Sequence, residues 1–219
     1  MNKLLILPCT SEKLSGGIYL DKINDYFNND SVLIKARTLR SNYYLNILSS
    51  NLNEDLKYLT KRRTIDNSLL QKVNNIYFNS CFNGEPKYME AINRYDGILY
   101  NNVIKKLLHE KTNSGLHVLI ISGLYGVLKY NDHIVDYQLD IKKGGSKIWK
   151  INQVNSVSNS ILTYLRNNQI SNSDVTVMLS NTYSDPLKDI ISTFKENLWK
   201  NADGYGHNLV AFLIDYLSN

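Results

Sequence analysis

Three short apolar runs, each ending in a cluster of small polar residues, constrain the fold of this chain more than any other feature. Lys3–Leu7 (KLLIL), His117–Ile121 (HVLII) and Asp174–Leu179 (DVTVML) are short and rich in Leu and β-branched residues, which reads as strand. Near-continuous apolar runs suit strands covered on both faces, as in a parallel or mixed sheet. Val32–Ile34 is a candidate fourth strand. Helical spacing of apolar residues runs through Asn42–Leu56, Ser68–Phe78, Tyr88–Leu108 with a break at Gly97, and Ser146–Leu165. Pro186 is a suitable first helical residue for a further helix to about Trp199. Asn208–Leu217 reads equally as a closing strand or a helix. Strands alternating with helices predict an α/β fold, here one compact domain over residues 1–219 with a mixed, mostly parallel sheet flanked by helices.

At 219 residues and 43% hydrophobic composition the chain has material for one sizeable core. It contains no apolar run of about 18 residues, so no membrane span is expected. The apolar opening is broken by Pro8 and Cys9, too early for a signal-peptide core, which predicts a cytoplasmic protein with Cys9 and Cys81 as reduced thiols. Those cysteines and His109, His117, His133 and His207 show no zinc-ligand spacing, so neither a metal nor another cofactor is expected. The net charge is +5, and the segment from Lys35 to Arg63 matches it: Lys35, Arg37, Arg40, Lys57, Lys61, Arg62 and Arg63 face only Glu54 and Asp55. A local basic surface suits nucleic acid or phosphate, and a solvated helix face is the competing reading.

If the three strands are parallel, their carboxyl ends lie side by side, where open α/β sheets bind ligands. There stand Pro8-Cys9-Thr10-Ser11-Glu12-Lys13, Ser122-Gly123-Leu124-Tyr125-Gly126 and Ser180-Asn181-Thr182-Tyr183-Ser184. Gly123 and Gly126 suit either a tight turn or close approach of backbone N–H groups to an anion. Lys13 and Arg40 are candidate phosphate partners, although the chain lacks a P-loop glycine pattern. Tyr125, Tyr137 and Tyr183 are candidates to stack on a base or sugar, or else rim tyrosines packing a loop. Asp96, Asp132 and Asp140 are candidate acids, with surface roles as the alternative. Ser122 lacks a Gly-x-Ser-x-Gly elbow, and Cys9 is either a reactive thiol or an inert half-buried one.

Arg94-Tyr95-Asp96-Gly97-Ile98-Leu99-Tyr100, Ile121-Ser122-Gly123-Leu124-Tyr125-Gly126-Val127-Leu128, Asp132 and Tyr137-Gln138-Leu139-Asp140 together resemble the YaaA family of peroxide-stress proteins. The opening Leu-Pro-Cys-Thr-Ser-Glu-Lys and the Leu179–Tyr183 run are similar to further elements of that family. Gln138 and Asp140 stand where the family usually has Arg and Glu, and Asn181-Thr182 replaces Ser-x-Glu. The resemblance implies a compact α/β fold, a basic cleft, DNA binding and a role in limiting oxidative damage. A helix-hairpin-helix DNA element occurs in some members. The corresponding region here, Leu52–Phe78, is basic but has no glycine, so Lys57, Lys61, Arg62 and Arg63 would act there by charge.

Two functions follow as expectations. One is a DNA-binding peroxide-stress protein with a basic, tyrosine-lined cleft. The other is an enzyme acting on a nucleotide, nucleoside or modified base. For it, Asp96, Asp140 and Ser122 are the catalytic candidates. Pro8, Lys13, Arg40, Tyr100, Gly123, Tyr125, Gly126, Tyr137, Asn181 and Tyr183 would hold the ligand.

Overall fold

The computed structural model describes residues 2–49, 87–137, 139, 141, 149–151, 154–201 and 206–219. In chain order the elements are β1 (Lys3–Pro8), α1 (Ser31–Ser49), β2 (Met89–Glu90), α2 (Ala91–Arg94), a 3-10 turn (Ile98–Tyr100), α3 (Asn102–Asn113), β3 (Leu116–Ser122), β4 (Gly126–Lys129), β5 (His133–Ile134), β6 (Lys150–Ile151), β7 (Val154–Asn155), α4 (Ser156–Asn167), β8 (Val175–Val177), α5 (Asn181–Ser184), β9 (Glu196–Asn197), α6 (Leu198–Asn201) and α7 (Gly206–Ser218).

A five-stranded sheet in the order β4-β3-β1-β8-β9 organises the described residues. β3, β1, β8 and β9 run parallel, and β4 turns back antiparallel beside β3. The three apolar runs are therefore the three central strands, adjacent and co-directional. Their lack of polar alternation has a direct cause, because successive side chains point to opposite covered faces. Leu5, Leu7, Val118 and Ile120 pack with Tyr95, Tyr100, Ile104, Leu108, Leu209 and Leu213 on the α3 and α7 side. Leu4, Ile6, Leu119, Ile121, Val175 and Val177 pack with Leu33, Val157, Ile161 and Leu165 on the α1 and α4 side. The sheet is thus mixed, mostly parallel and flanked by helices, as the sequence predicts.

Three local expectations are corrected. Val32–Ile34 lies in the first turn of α1 rather than a strand, because Asp30 caps that helix: its Oδ1 accepts from Leu33 N at 3.0 Å, and its Oδ2 accepts from Ser160 Oγ at 2.6 Å. The helix expected from Ser146 begins at Ser156, after the β6–β7 hairpin, where Asn155 Oδ1 accepts from Ser158 N. Pro186 opens no long helix. Its carbonyl already accepts from Asn155 Nδ2 at 2.7 Å and Ser158 Oγ at 3.0 Å, and the chain passes through short 3-10 turns into β9. Asn208–Leu217 resolves as helix within α7. The expected helix Ser68–Phe78 and residues Cys81, Gln138 and Asp140 lie outside the described residues.

Candidate functional site at the carboxyl ends of the strands

Parallel pairing brings the ends of β1, β3 and β8 together, and with them most of the polar residues singled out by the sequence. Cys9 N donates to Ile121 O at 2.8 Å, and Met178 N donates to Ile6 O at 2.8 Å, so the three chains leave the sheet side by side. The accessible rim contains Thr10, Asp96, Ser180, Asn181 and Tyr183. Thr10 Oγ1 reaches both Glu12 O at 2.6 Å and Asp96 O at 2.7 Å, joining the end of β1 to the turn before the 3-10 helix. Tyr183 Oη stands 3.5 Å from the buried Cys9 Sγ, joining the end of β1 to α5. Asn181, the first residue of α5, is exposed.

Beneath the rim lies a chain of buried hydroxyls. Tyr95 Oη and Tyr137 Oη are 2.7 Å apart, and Tyr137 Oη is 2.7 Å from Ser122 Oγ. Ser122 Oγ also accepts backbone N–H groups from Tyr125 at 3.0 Å and Leu124 at 3.3 Å. Those two N–H groups, which a free turn would offer to an anion, are therefore turned onto a side chain of the same turn. Tyr100 Oη donates to Pro8 O at 2.7 Å, and Tyr125 Oη accepts from Val135 N at 3.2 Å. Burial holds the phenols of Tyr95, Tyr100, Tyr125 and Tyr137 above the usual tyrosine range, so they act as neutral hydrogen-bonding groups. Tyr125 and Tyr137 are interior residues whose rings meet edge to face with centroids 5.6 Å apart.

Lys13 is also inside, only 3% exposed. Its Nζ donates to Thr10 O at 2.8 Å and sits 4.2 Å from the Tyr137 ring centroid and 5.5 Å from that of Tyr95. An ammonium over two aromatic faces is attracted by the ring quadrupoles, which offsets part of the cost of burying its charge. The segment carrying it is strapped by buried Arg94, which donates to Leu14 O, Gly16 O and Lys87 O.

The arginines of α1 depart from the expected basic surface. Arg37 and Arg40 are fully buried. Arg37 donates to Tyr125 O and Val127 O, each at 2.7 Å, and pairs with Asp25 at 2.8 Å. Arg40 Nε donates to Gly123 O at 2.7 Å. The two side chains fasten α1 to the β3–β4 turn. Sequence reasoning missed this role, because a buried arginine that answers backbone carbonyls looks the same in a sequence as a solvated one. Gly126 has φ +74°, and a Cβ there would lie 2.7 Å from Trp149 Cζ3, so this turn closes a hairpin against Trp149.

Asp132 is buried, accepting from Tyr26 N at 2.8 Å and Lys129 N at 2.7 Å. Burial, aided by the charge of Asp25, pushes its carboxyl up to about 7. Lys57, Lys61, Arg62, Arg63 and Asp140 fall outside the described residues. Among the described residues, no group of three His, Cys, Asp or Glu side chains stands ready to hold a metal, and no helix is long and apolar enough to cross a membrane.

Residues 5–201 match the family model described as peroxide stress protein YaaA. A UPF0246 protein of Rickettsia rickettsii (strain Iowa) is 34% identical over 128 residues, covering 58% of this chain and 49% of that protein. A UPF0246 protein of Malacoplasma penetrans (strain HF-2) is 30% identical over 119 residues, covering 45% of this chain and 46% of that protein. One from Rickettsia bellii (strain OSU 85-389) is 41% identical over 70 residues, 31% of this chain and 26% of that protein. The chain spans about half the length of the first two relatives.

Proposed function

The chain belongs to the peroxide stress protein YaaA family, and from that premise we propose that it is a cytoplasmic DNA-binding protein of the peroxide-stress response. The observation that carries this reading is the docking of α1. Arg37 and Arg40 bind the β3–β4 turn through its carbonyls, which anchors the helix at the carboxyl ends of the strands. Lys57, Lys61, Arg62 and Arg63 come after α1 in sequence, the first of them eight residues beyond its last residue, Ser49. Phosphate contacts made by charge alone give affinity without base readout, so binding is expected to be weakly sequence-selective and to fall steeply with salt.

The test is fluorescence anisotropy of a labelled duplex across a salt series. Replacing Lys61, Arg62 and Arg63 together with Ala is expected to weaken binding and flatten the plot of log affinity against log salt by about 0.9 for each phosphate that is no longer neutralised. Unchanged affinity and slope in the triple variant would overturn the assignment.

One arrangement favours a second reading, an enzyme acting on a nucleotide, nucleoside or modified base. The rim places Asp96, Asn181 and Tyr183 around the ends of the three strands, above Cys9, Lys13 and the Ser122–Tyr137–Tyr95 hydroxyl chain. A thermal-shift screen of nucleotides and nucleosides tests it. Stabilisation by such a ligand that is abolished in Tyr183→Ala supports an enzyme, and no stabilisation by any of them removes this reading.

A further inference from the structure

A thiol and a phenol meet at the strand-end rim. Cys9 Sγ stands 3.5 Å from Tyr183 Oη, and either atom can be the donor. The two residues lie 174 positions apart in sequence, and the parallel pairing of β1 with β8 brings them together. Cys9 is only 5% exposed. Tyr183 is partly exposed, and its ring packs against the buried residues on both faces of the sheet. Tyr183 thus touches solvent and sulfur at once.

Further phenols surround the thiol from within. Burial, and after it the charge of Cys9, holds Tyr95, Tyr100 and Tyr137 above the usual tyrosine range, so the sulfur lies within electrostatic reach of all of them. Their hydroxyls are engaged with oxygen: Tyr100 with Pro8 O, and Tyr95 and Tyr137 with each other and with Ser122. More exposed tyrosines stand elsewhere. Tyr19 lies beneath the Lys87 ammonium, and Tyr26 lies beside Asn168 and Lys129.

We propose that Tyr183 and Cys9 form a radical-accepting pair, a site of one-electron oxidation at which a hydrogen atom passes from the buried thiol to the rim phenol. A small radical X• takes the phenolic hydrogen of Tyr183, giving XH and the Tyr183 phenoxyl radical. The Cys9 S–H bond then breaks and the Tyr183 O–H bond forms again, leaving a thiyl radical on Cys9. Proton and electron cross the one contact together, so no net charge is left in the interior, where an unpaired charge is costly. A radical that cannot reach the covered thiol directly is received there through Tyr183. The pair uses none of the residues from Lys57 to Arg63 and no bound nucleotide, so it stands apart from both functions proposed above.

The experiment is radiolysis of the full chain in azide solution saturated with nitrous oxide, where the azidyl radical is X•. The nitrone spin trap DMPO is present, and its adducts are located by peptide mass spectrometry. Trypsin releases Leu4–Lys13, which contains Cys9 and no Tyr, Trp or Met. An adduct at Cys9 is expected in the wild type. Tyr183→Phe, which keeps the ring and removes the hydroxyl, is expected to abolish it. Cys9→Ser is expected to raise the adduct at Tyr183, because the phenoxyl radical loses its hydrogen donor. Tyr26→Phe, the same change at a surface ring, is expected to leave the labelling of Cys9 as it is. Absence of an adduct at Cys9 in the wild type, equal labelling of Cys9 without the Tyr183 hydroxyl, or an equal loss in Tyr26→Phe would overturn the proposal. Replacing Lys61, Arg62 and Arg63 with Ala is expected to leave the labelling unchanged, so failure of the DNA reading and failure of this one are separable.

Discussion

Tyr137 Oη and Ser122 Oγ stand 2.7 Å apart in the protein interior, and that contact ties the chain beyond β5 to the turn that ends β3. Ser122 Oγ also receives the N–H groups of Leu124 and Tyr125. Ser122→Ala leaves three polar groups short of a partner. It is expected to lower stability by about 1–3 kcal/mol in urea unfolding. In a double-mutant cycle Tyr137→Phe should couple to it, and strict additivity would show that the hydroxyls do not act as a pair.

Arg37→Met tests the docking of α1. The substitution strands Asp25 and the carbonyls of Tyr125 and Val127 in or near the interior. A loss of about 3–5 kcal/mol is expected from urea unfolding. A loss below about 1 kcal/mol, the range of an exposed pair, would mean that the guanidinium contributes little.

Gly126→Ala forces a side chain into the left-handed region and towards Trp149 Cζ3 at 2.7 Å and Leu33 Cδ1 at 3.1 Å. Strain and crowding act together, and a fall of about 2 kcal/mol or more is expected from the urea midpoint. Gly16→Ala is the informative comparison. Its φ is +88° but no atom lies within 4 Å of the added Cβ, so it isolates the backbone strain and should cost less.

Asp132 gives the fold a pH dependence. Its carboxyl titrates at about 7 in the folded protein and about 3.9 in an unfolded chain. Between those values the folded state holds a proton that the unfolded state has released. The associated stability is complete below about pH 4 and is lost as the pH rises through about 7. Urea midpoints between pH 4.5 and pH 8 measure it. Asp132→Asn is expected to be less stable throughout, because its side chain has one acceptor oxygen for two N–H donors, and to lose this downward slope. A slope that persists in the variant would assign the proton to another group.

The central strands were legible because burial on both faces writes itself as an unbroken apolar run. Their polar ends were legible for the same reason, since each run stops abruptly. Val32–Ile34 carries the same apolar signature over too few residues, and the side chain of Asp30 decided it. Pro186 sat at a suitable helix start, but Asn155 and Ser158 occupy its carbonyl from a distant part of the chain. Arg37 and Arg40 show the limit most clearly. Charge in a sequence says nothing about whether the group meets water or main-chain carbonyls, and both meet carbonyls. Lys13 was placed at the strand ends by its position after β1, while its burial against Tyr137 depends on a residue remote in sequence.

The order of the sheet also bears on how this protein keeps to itself. Among the described residues, one edge is β4, with four residues, and the other is β9, with two. Strands that short give a second chain few consecutive backbone groups to pair with, and the long apolar strands β1 and β3 sit inside the sheet with both neighbours filled. The segments with the strongest tendency to form intermolecular β-structure are thus the ones the topology withholds, and they become available for aggregation only when the molecule unfolds.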